Sequence, residues 1–253
     1  MPETPDYLDT AEGRRLAYRR TDGAGPWIVF LGGLRSDMEG TKALHLEAWA
    51  QREGRAFLRF DYSGHGASSG TFEEGAIGDW AEDTAAMLDT LPGDIVLVGS
   101  SMGGWQALLA ARAMPDRVRG LVTIAAAPDF TEDGYAASFT PAERSKLERE
   151  GRIARASEYG EDMIITRRLI EDGRSHLVLR TPLSLPMPVR MLQGTADDAV
   201  DVSVAMRLLD HAEGPDMRLT LVKDADHRMS SPAELALIEQ ALREVLLAAE
   251  GAE

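Results

Sequence analysis

Three residues of this chain have the types and the order needed for nucleophilic catalysis: Ser101, Asp197 and His227. Ser101 stands in Gly99-Ser100-Ser101-Met102-Gly103, a G-x-S-x-G match. That motif has meaning where a strand turns sharply into a helix, because the turn lifts the hydroxyl clear of the sheet. A serine hydroxyl is barely ionised at neutral pH and needs a positioned base. Of the five histidines, only His227, in Asp224-Ala225-Asp226-His227-Arg228, both follows the last predicted strand and completes the order serine, acid, histidine. His45 and His211 fall within or near the end of helices. His65 precedes the serine, and His176 lies in a polar segment within reach of a substrate. The acid must hold the imidazole in one tautomer and stabilise its charged form. Asp197 is the first carboxylate of Gly194-Thr195-Ala196-Asp197-Asp198-Ala199-Val200, with Asp198 as its near competitor and Asp129 as a more distant one.

An acyl-transfer site also needs N–H donors aimed where negative charge develops. The amide of Met102, next after the serine, is the first candidate. The amide of Leu34, in the Gly32-Gly33-Leu34 loop after an apolar strand, is the second. Gly33, Arg35, Met163 and Ile164 complete a candidate substrate-binding set. Arg35 is placed either to meet an anionic leaving group or simply to face solvent. Met163, Ile164 and Ile165 either line an acyl cleft or pack the cap that carries them onto the core.

A second G-x-S-x-G match, Gly66-Ala67-Ser68-Ser69-Gly70, has no apolar strand leading into it and no helix face after it, so it reads as a loop. The chain has no H-E-x-x-H and no Walker A loop, and side-by-side acids such as Glu73-Glu74 are too common among 42 acidic residues to indicate a metal.

The elements that must position these groups are legible from periodicity. Ile95 to Val98 is an unbroken apolar run, as in a strand covered on both faces. Trp105, Leu108 and Leu109 then recur at helical spacing. Further strands are predicted at Arg14 to Arg19, Trp27 to Leu31, Arg55 to Phe60, Val118 to Ala125, Val189 to Leu192 and Met217 to Val222. Helices are predicted over about 40–53, along the face from Ile77 to Leu91, over 200–212 and from the Ser231-Pro232-Ala233-Glu234 capping box onward. Residues about 128–183 are polar, with no buried-strand run and a second capping box at Thr140-Pro141-Ala142-Glu143; they read as an inserted cap. Beyond Glu250 the tail is expected to fray. Alternating strands and helices predict an α/β fold with a mostly parallel sheet, its function beyond the C-terminal strand ends.

At 253 residues and 44% apolar content the chain suffices for one α/β domain. A net charge of −15 argues against non-specific binding to nucleic acid or anionic membrane. The absence of cysteine excludes disulfides, thiolate metal sites and cysteine nucleophiles. MPETPDYLDT has no basic region followed by an apolar core, and no apolar run approaches the roughly 18 residues of a membrane span. The expectation is a cytoplasmic protein acting on a small-molecule or acylated substrate, with no nucleic-acid or membrane partner.

With these residues in place, the chain resembles the α/β-hydrolase superfamily over nearly its whole length. Within it, the chain looks more closely like the group that holds the mitochondrial palmitoyl-protein thioesterase, also described as an acyl-glucuronide esterase, and its bacterial relatives. The resemblance rests on GTKAL at Gly40 to Leu44, RFDYSGHG at Arg59 to Gly66, VGSSMGGW at Val98 to Trp105, GTADDAV at Gly194 to Val200 and DHRM at Asp226 to Met229. It implies Ser101, Asp197 and His227 as a triad, hydrolysis of acyl esters or thioesters, and no cofactor. An acyltransferase or peptidase with the same triad, and a non-catalytic binding module, are the alternatives.

Overall fold

The computed structural model describes residues 4–156 and 162–251. Chain order begins with β1 (Asp6–Asp9), β2 (Arg15–Thr21) and β3 (Ala24–Leu31), followed by α1 (Thr41–Glu53) and β4 (Arg55–Phe60). Next come α2 (Ile77–Asp89), β5 (Ile95–Ser100), α3 (Met102–Ala113) and β6 (Val118–Ile124). A π-helical turn (Thr131–Ala136), α4 (Pro141–Glu150), β7 (Arg152–Arg155), β8 (Met163–Thr166), α5 (Arg167–Ser175) and β9 (Leu183–Ser184) precede the return to the sheet at β10 (Val189–Gly194). The chain closes with α6 (Val202–His211), β11 (Ala212–Glu213), β12 (Met217–Val222) and α7 (Pro232–Glu250).

Eight strands form one sheet in the order β1-β2-β4-β3-β5-β6-β10-β12. β1 and β2 pair antiparallel, as do β2 and β4; every other neighbour pairs parallel. Period-two alternation divides the core. Trp27, Val29 and Leu31 of β3 face the layer that holds Trp80 of α2 and Trp105 of α3. Ile28 and Phe30 face the layer of Trp49 from α1 and Ile238, Leu242 and Val245 from α7. Each such side chain, fully buried, stabilises the fold by roughly 1.5–3 kcal/mol.

Register brings the strand ends into line. Leu31 pairs with Gly99, Ser100 with Ile124, Ile124 with Leu192, and Gly194 with Val222. The loops after β3, β5, β10 and β12 therefore leave from one edge of the sheet. Backbone strain concentrates there. Among the described residues, the non-glycine positions with positive φ are Arg35, Ser101, Ala125, Asp129, Asp224 and Met229, all in loops at this edge. Such conformations cost of order 1–3 kcal/mol each and persist where packing over-determines them.

Several sequence expectations are adjusted. β1 is not among the predicted strands, because DYLD is half polar and gains its strand form only by pairing with β2. β6 stops at Ile124, since Ala125 has φ 46° and cannot continue the ladder. The segment expected to have no buried-strand run carries an antiparallel hairpin, β7 with β8, whose short strands hold only one buried residue each, Ile153 and Ile165. Its apolar residues form a small core of their own with Phe139, Leu147 and Ile170. Both capping boxes are present, at Thr140 and at Ser231. The expected fraying beyond Glu250 concerns chiefly residues 252 and 253, which lie outside the described residues.

Candidate active site

Ser101 sits between β5 and α3 with φ 54° and ψ −119°. Its neighbours make that turn sterically possible. A Cβ on Gly99 would stand 2.3 Å from the Gly103 carbonyl oxygen, and one on Gly104 would stand 2.6 Å from Ala126 Cβ. Only hydrogen fits there, so α3 can begin immediately after the strand. Met102 is the first residue of α3, and a first-turn N–H has no intrahelical acceptor. It is thus a free donor at the positive end of the helix dipole.

His227 Nε2 lies 3.1 Å from Ser101 Oγ, and His227 Nδ1 lies 2.9 Å from Asp197 Oδ2. The Asp197 side chain is wholly buried, and burial alone would push its pKa up. Hydrogen bonds from His227, the Val200 amide and Gln193 outweigh burial and hold it below the ordinary carboxylate value. An ionised carboxylate can only accept, so Nδ1 carries the proton and Nε2 is left to accept from the serine hydroxyl. Asp197 Oδ1 accepts the amides of Ala199 and Val200 at 2.9 and 2.8 Å.

The competing acids have other partners. Asp198 is exposed. Asp129 is buried and accepts the amides of Val178 and Leu179 at 2.8 and 3.0 Å and Arg180 Nη1 at 2.6 Å, so it anchors the end of the inserted segment. The other histidines are similarly occupied. His45 Nε2 meets Glu239 at 2.7 Å, and His211 Nε2 meets the Thr181 carbonyl at 2.8 Å. His65 is buried against Tyr62, Phe72 and Trp80, and burial lowers its pKa, keeping it neutral. His176 pairs with Asp172 and is not a cavity-lining residue, contrary to its expected reach towards substrate.

A cavity of about 620 Å³ opens over Ser101 and His227. Gly33, Leu34, Arg35 and Ser36 line it from the β3 loop, Ser100 and Met102 from the serine turn, and Ala199, Val200 and Arg228 from the later loops. Ala127, Phe130, Gly134, Tyr135 and Met163 line it from the segment after β6. Ile164, expected beside Met163, is not a lining residue; strand alternation in β8 turns adjacent side chains to opposite faces. Ile165 packs inside the segment's own small core.

The β3 loop is braced from beneath. Gly33 and Ser36 close a turn, with the Ser36 amide 3.2 Å and its hydroxyl 2.6 Å from the Gly33 carbonyl, and Arg35 at φ 58°. Further along, Met38 donates its amide to Asp61 Oδ1 at 2.6 Å and accepts Arg59 Nη1 at 2.9 Å. The second G-x-S-x-G match serves this brace. Ala67 donates to Asp61 Oδ2 at 2.8 Å, and Ser68 Oγ donates to the Asp61 carbonyl at 2.6 Å. On the opposite wall, Lys42 donates to the Arg228 carbonyl and ties the histidine loop to α1.

A strained serine between strand and helix, backed by histidine and a buried acid at neighbouring strand ends, is the arrangement of one large enzyme family. Residues 28–239 match the model of the alpha/beta hydrolase family. This chain belongs to that family. As an alpha/beta hydrolase it is 37% identical over 238 residues to palmitoyl-protein thioesterase ABHD10, mitochondrial, of Bos taurus, covering 92% of this chain and 76% of the relative. A crystal structure from Agrobacterium vitis S4 superposes with TM-score 0.92 at 40% identity, covering 97% of this chain and all of that one. Alpha/beta hydrolase domain-containing protein 10 from mouse superposes with TM-score 0.88 at 33% identity, covering 96% and 98%. The chain is accordingly a hydrolase. Among the described residues of this alpha/beta hydrolase, no helix is long and apolar enough to cross a membrane.

Sequence reasoning passes over Phe130, Tyr135, Arg228 and Gln193. The first two lie in and beside a π-helical turn, which has no periodic signature. Gln193 has a signal, a polar residue directly after Met191 and Leu192 in β10.

Proposed function

We propose that this hydrolase cleaves carboxylic ester and thioester bonds through an acyl-enzyme on Ser101. The observation that carries the reading is the unbroken hydrogen-bond chain Ser101 Oγ, His227 Nε2, His227 Nδ1, Asp197 Oδ2. His227 takes the serine proton as Oγ attacks the substrate carbonyl. The amides of Met102 and Leu34 receive the tetrahedral oxyanion. Asp197 keeps the imidazole in its tautomer and stabilises the imidazolium. His227 then protonates the leaving alcohol or thiol, and activates water to release the acid.

The segment between β6 and β10 acts in this reading as a cap, since Phe130, Tyr135 and Met163 wall the cavity over the serine. The cavity wall is largely apolar, which suits an acyl chain, with Arg35 and Arg228 among its lining residues. Similarity to proteins named palmitoyl-protein thioesterases supports long-chain acyl thioesters as the first substrates to assay.

A fluorophosphonate probe tests the nucleophile. The wild type is expected to be labelled at Ser101 and Ser101→Ala to be unlabelled; equal labelling of the two would refute it. Rates on p-nitrophenyl esters, acyl-cysteine thioesters and acyl glucuronides then rank the leaving groups.

A further inference from the structure

Gln193 follows Met191 and Leu192 in β10 with a wholly buried side chain. Its Nε2 group spans three acceptors: Asp197 Oδ2 at 2.8 Å, the Val200 carbonyl at 3.0 Å and the Gly194 carbonyl at 3.3 Å. Turning the amide over would set Oε1 against three oxygens, so the orientation is determined. The cost falls on the other end of the amide, because Oε1 is buried without a partner. An orphaned buried acceptor is unfavourable, and an unbranched apolar side chain would fill the same space without one. Filling space therefore gives no reason for a glutamine here; the Val200 and Gly194 carbonyls give a structural reason but no catalytic one.

The Asp197 carboxylate does give one. Its Oδ2 is the atom that meets His227 Nδ1, and Gln193 is the second donor to that atom. Oδ1 is held by the amides of Ala199 and Val200, so the two oxygens are gripped from opposite sides. Without Gln193, Oδ2 would be held by His227 Nδ1 alone among the described residues, and the carboxylate would be freer to twist about its Cβ–Cγ bond and carry Oδ2 away from the imidazole.

We infer that Gln193 is a positioning residue for the catalytic acid: its amide holds Oδ2 of Asp197 against His227 Nδ1. The inference rests on the serine-hydrolase reading above. Gln193 touches no reacting atom and acts only through Asp197. The ionisable groups that face it are Asp197, from the loop after β10, and through that carboxylate His227, from the loop after β12.

The experiment measures p-nitrophenyl acetate hydrolysis by the wild type, Gln193→Met, Gln193→Glu and Ser101→Ala, each checked for folding by circular dichroism. Gln193→Met keeps the volume and removes the donor. Its kcat is expected to fall about tenfold to a hundredfold, the span of a hydrogen bond to a charged group. Its KM should stay within about twofold, because the lost contact acts on the transition state. Gln193→Glu is nearly isosteric and carries the test if the methionine variant does not fold. When protonated, the introduced carboxyl donates to Oδ2; when ionised, it repels it. The activity of this variant relative to wild type is therefore expected to fall as pH rises. A merely structural glutamine would give neither the kcat-only loss nor a ratio that depends on pH in that direction. Wild-type kcat in folded Gln193→Met, or a flat ratio in folded Gln193→Glu, overturns the inference while inactive Ser101→Ala leaves the serine reading standing. Full activity in Ser101→Ala overturns both.

Discussion

Gly103, on the first turn of α3, lies against the end of β3: a Cβ there would sit 2.0 Å from the Leu31 carbonyl oxygen. This contact seats the serine turn beside the loop that carries Gly33 and Leu34, and sets the spacing between the two proposed oxyanion amides. Neither partner can yield, since one is helix backbone and the other strand backbone. Gly103→Ala is expected to destabilise the fold by about 1–3 kcal/mol, the usual cost of overpacking, seen as a lower urea midpoint. Turnover should fall further than stability explains, because the two donors are pushed apart. A variant with wild-type turnover would show that their spacing does not depend on this contact.

Asp197 and Asp129 are both buried acids at the same sheet edge, and substitution separates their roles. Asp197→Asn is expected to lose about 10⁴-fold in kcat with an intact fold, the loss seen when such an acid no longer selects the tautomer. Asp129→Ala leaves the buried amides of Val178 and Leu179 without their acceptor, at a cost of about 1–3 kcal/mol each, while Arg180 keeps its second partner, Asp133. It should lower the melting temperature markedly while the folded fraction keeps the wild-type triad. Thermal melts and kcat, measured side by side, give opposite rankings if the assignment holds.

The tie between α5 and α2 is pH-dependent. His176 Nδ1 lies 2.9 Å from the Asp172 carbonyl and 3.5 Å from its carboxylate, and Asp172 also accepts the Gly78 amide at 2.7 Å. The bond to Asp172 raises the His176 pKa above its ordinary value. The native state therefore holds this proton more tightly than the unfolded chain does. That stabilisation is complete below the unfolded histidine value of about 6.5 and is lost as pH rises through the higher native value. The melting-temperature gap between wild type and His176→Gln should be widest near about pH 5.5 and narrow towards about pH 8.5. A gap that widens with pH would reverse the sign.

Phe130 meets Trp105 edge-on at 5.6 Å and Tyr135 at 5.3 Å, and lines the cavity. Phe130→Leu shortens the wall over the serine. The ratio of kcat/KM for bulky over short p-nitrophenyl esters is expected to rise roughly tenfold, the scale of a small change in an apolar pocket. An unchanged ratio would place the acyl chain elsewhere.

How much of this was legible beforehand follows from the range of the forces involved. The strand-helix alternation, the serine turn, both capping boxes and the choice of Ser101 and His227 as candidates could be read from the sequence, with Asp197 the first of three candidate acids. Each rests on local chemistry: apolar period, glycine freedom and cap hydrogen bonds act over a few residues. That reading put Asp197 first but left Asp198 and Asp129 open as competitors, because all three are aspartates just beyond strand ends. Burial and long-range partners separated them, giving Asp129 to Val178, Leu179 and Arg180, and Asp197 to His227. The same holds for Met163 and Ile164, adjacent apolar residues that alternation in β8 sends to different surroundings. It holds again for Gln193, whose partners come together only when the chain doubles back after β10. Local pattern determined which residues were available for chemistry. Tertiary packing decided which of them meet, because register across β3, β5, β6, β10 and β12 brings residues more than a hundred positions apart to one edge.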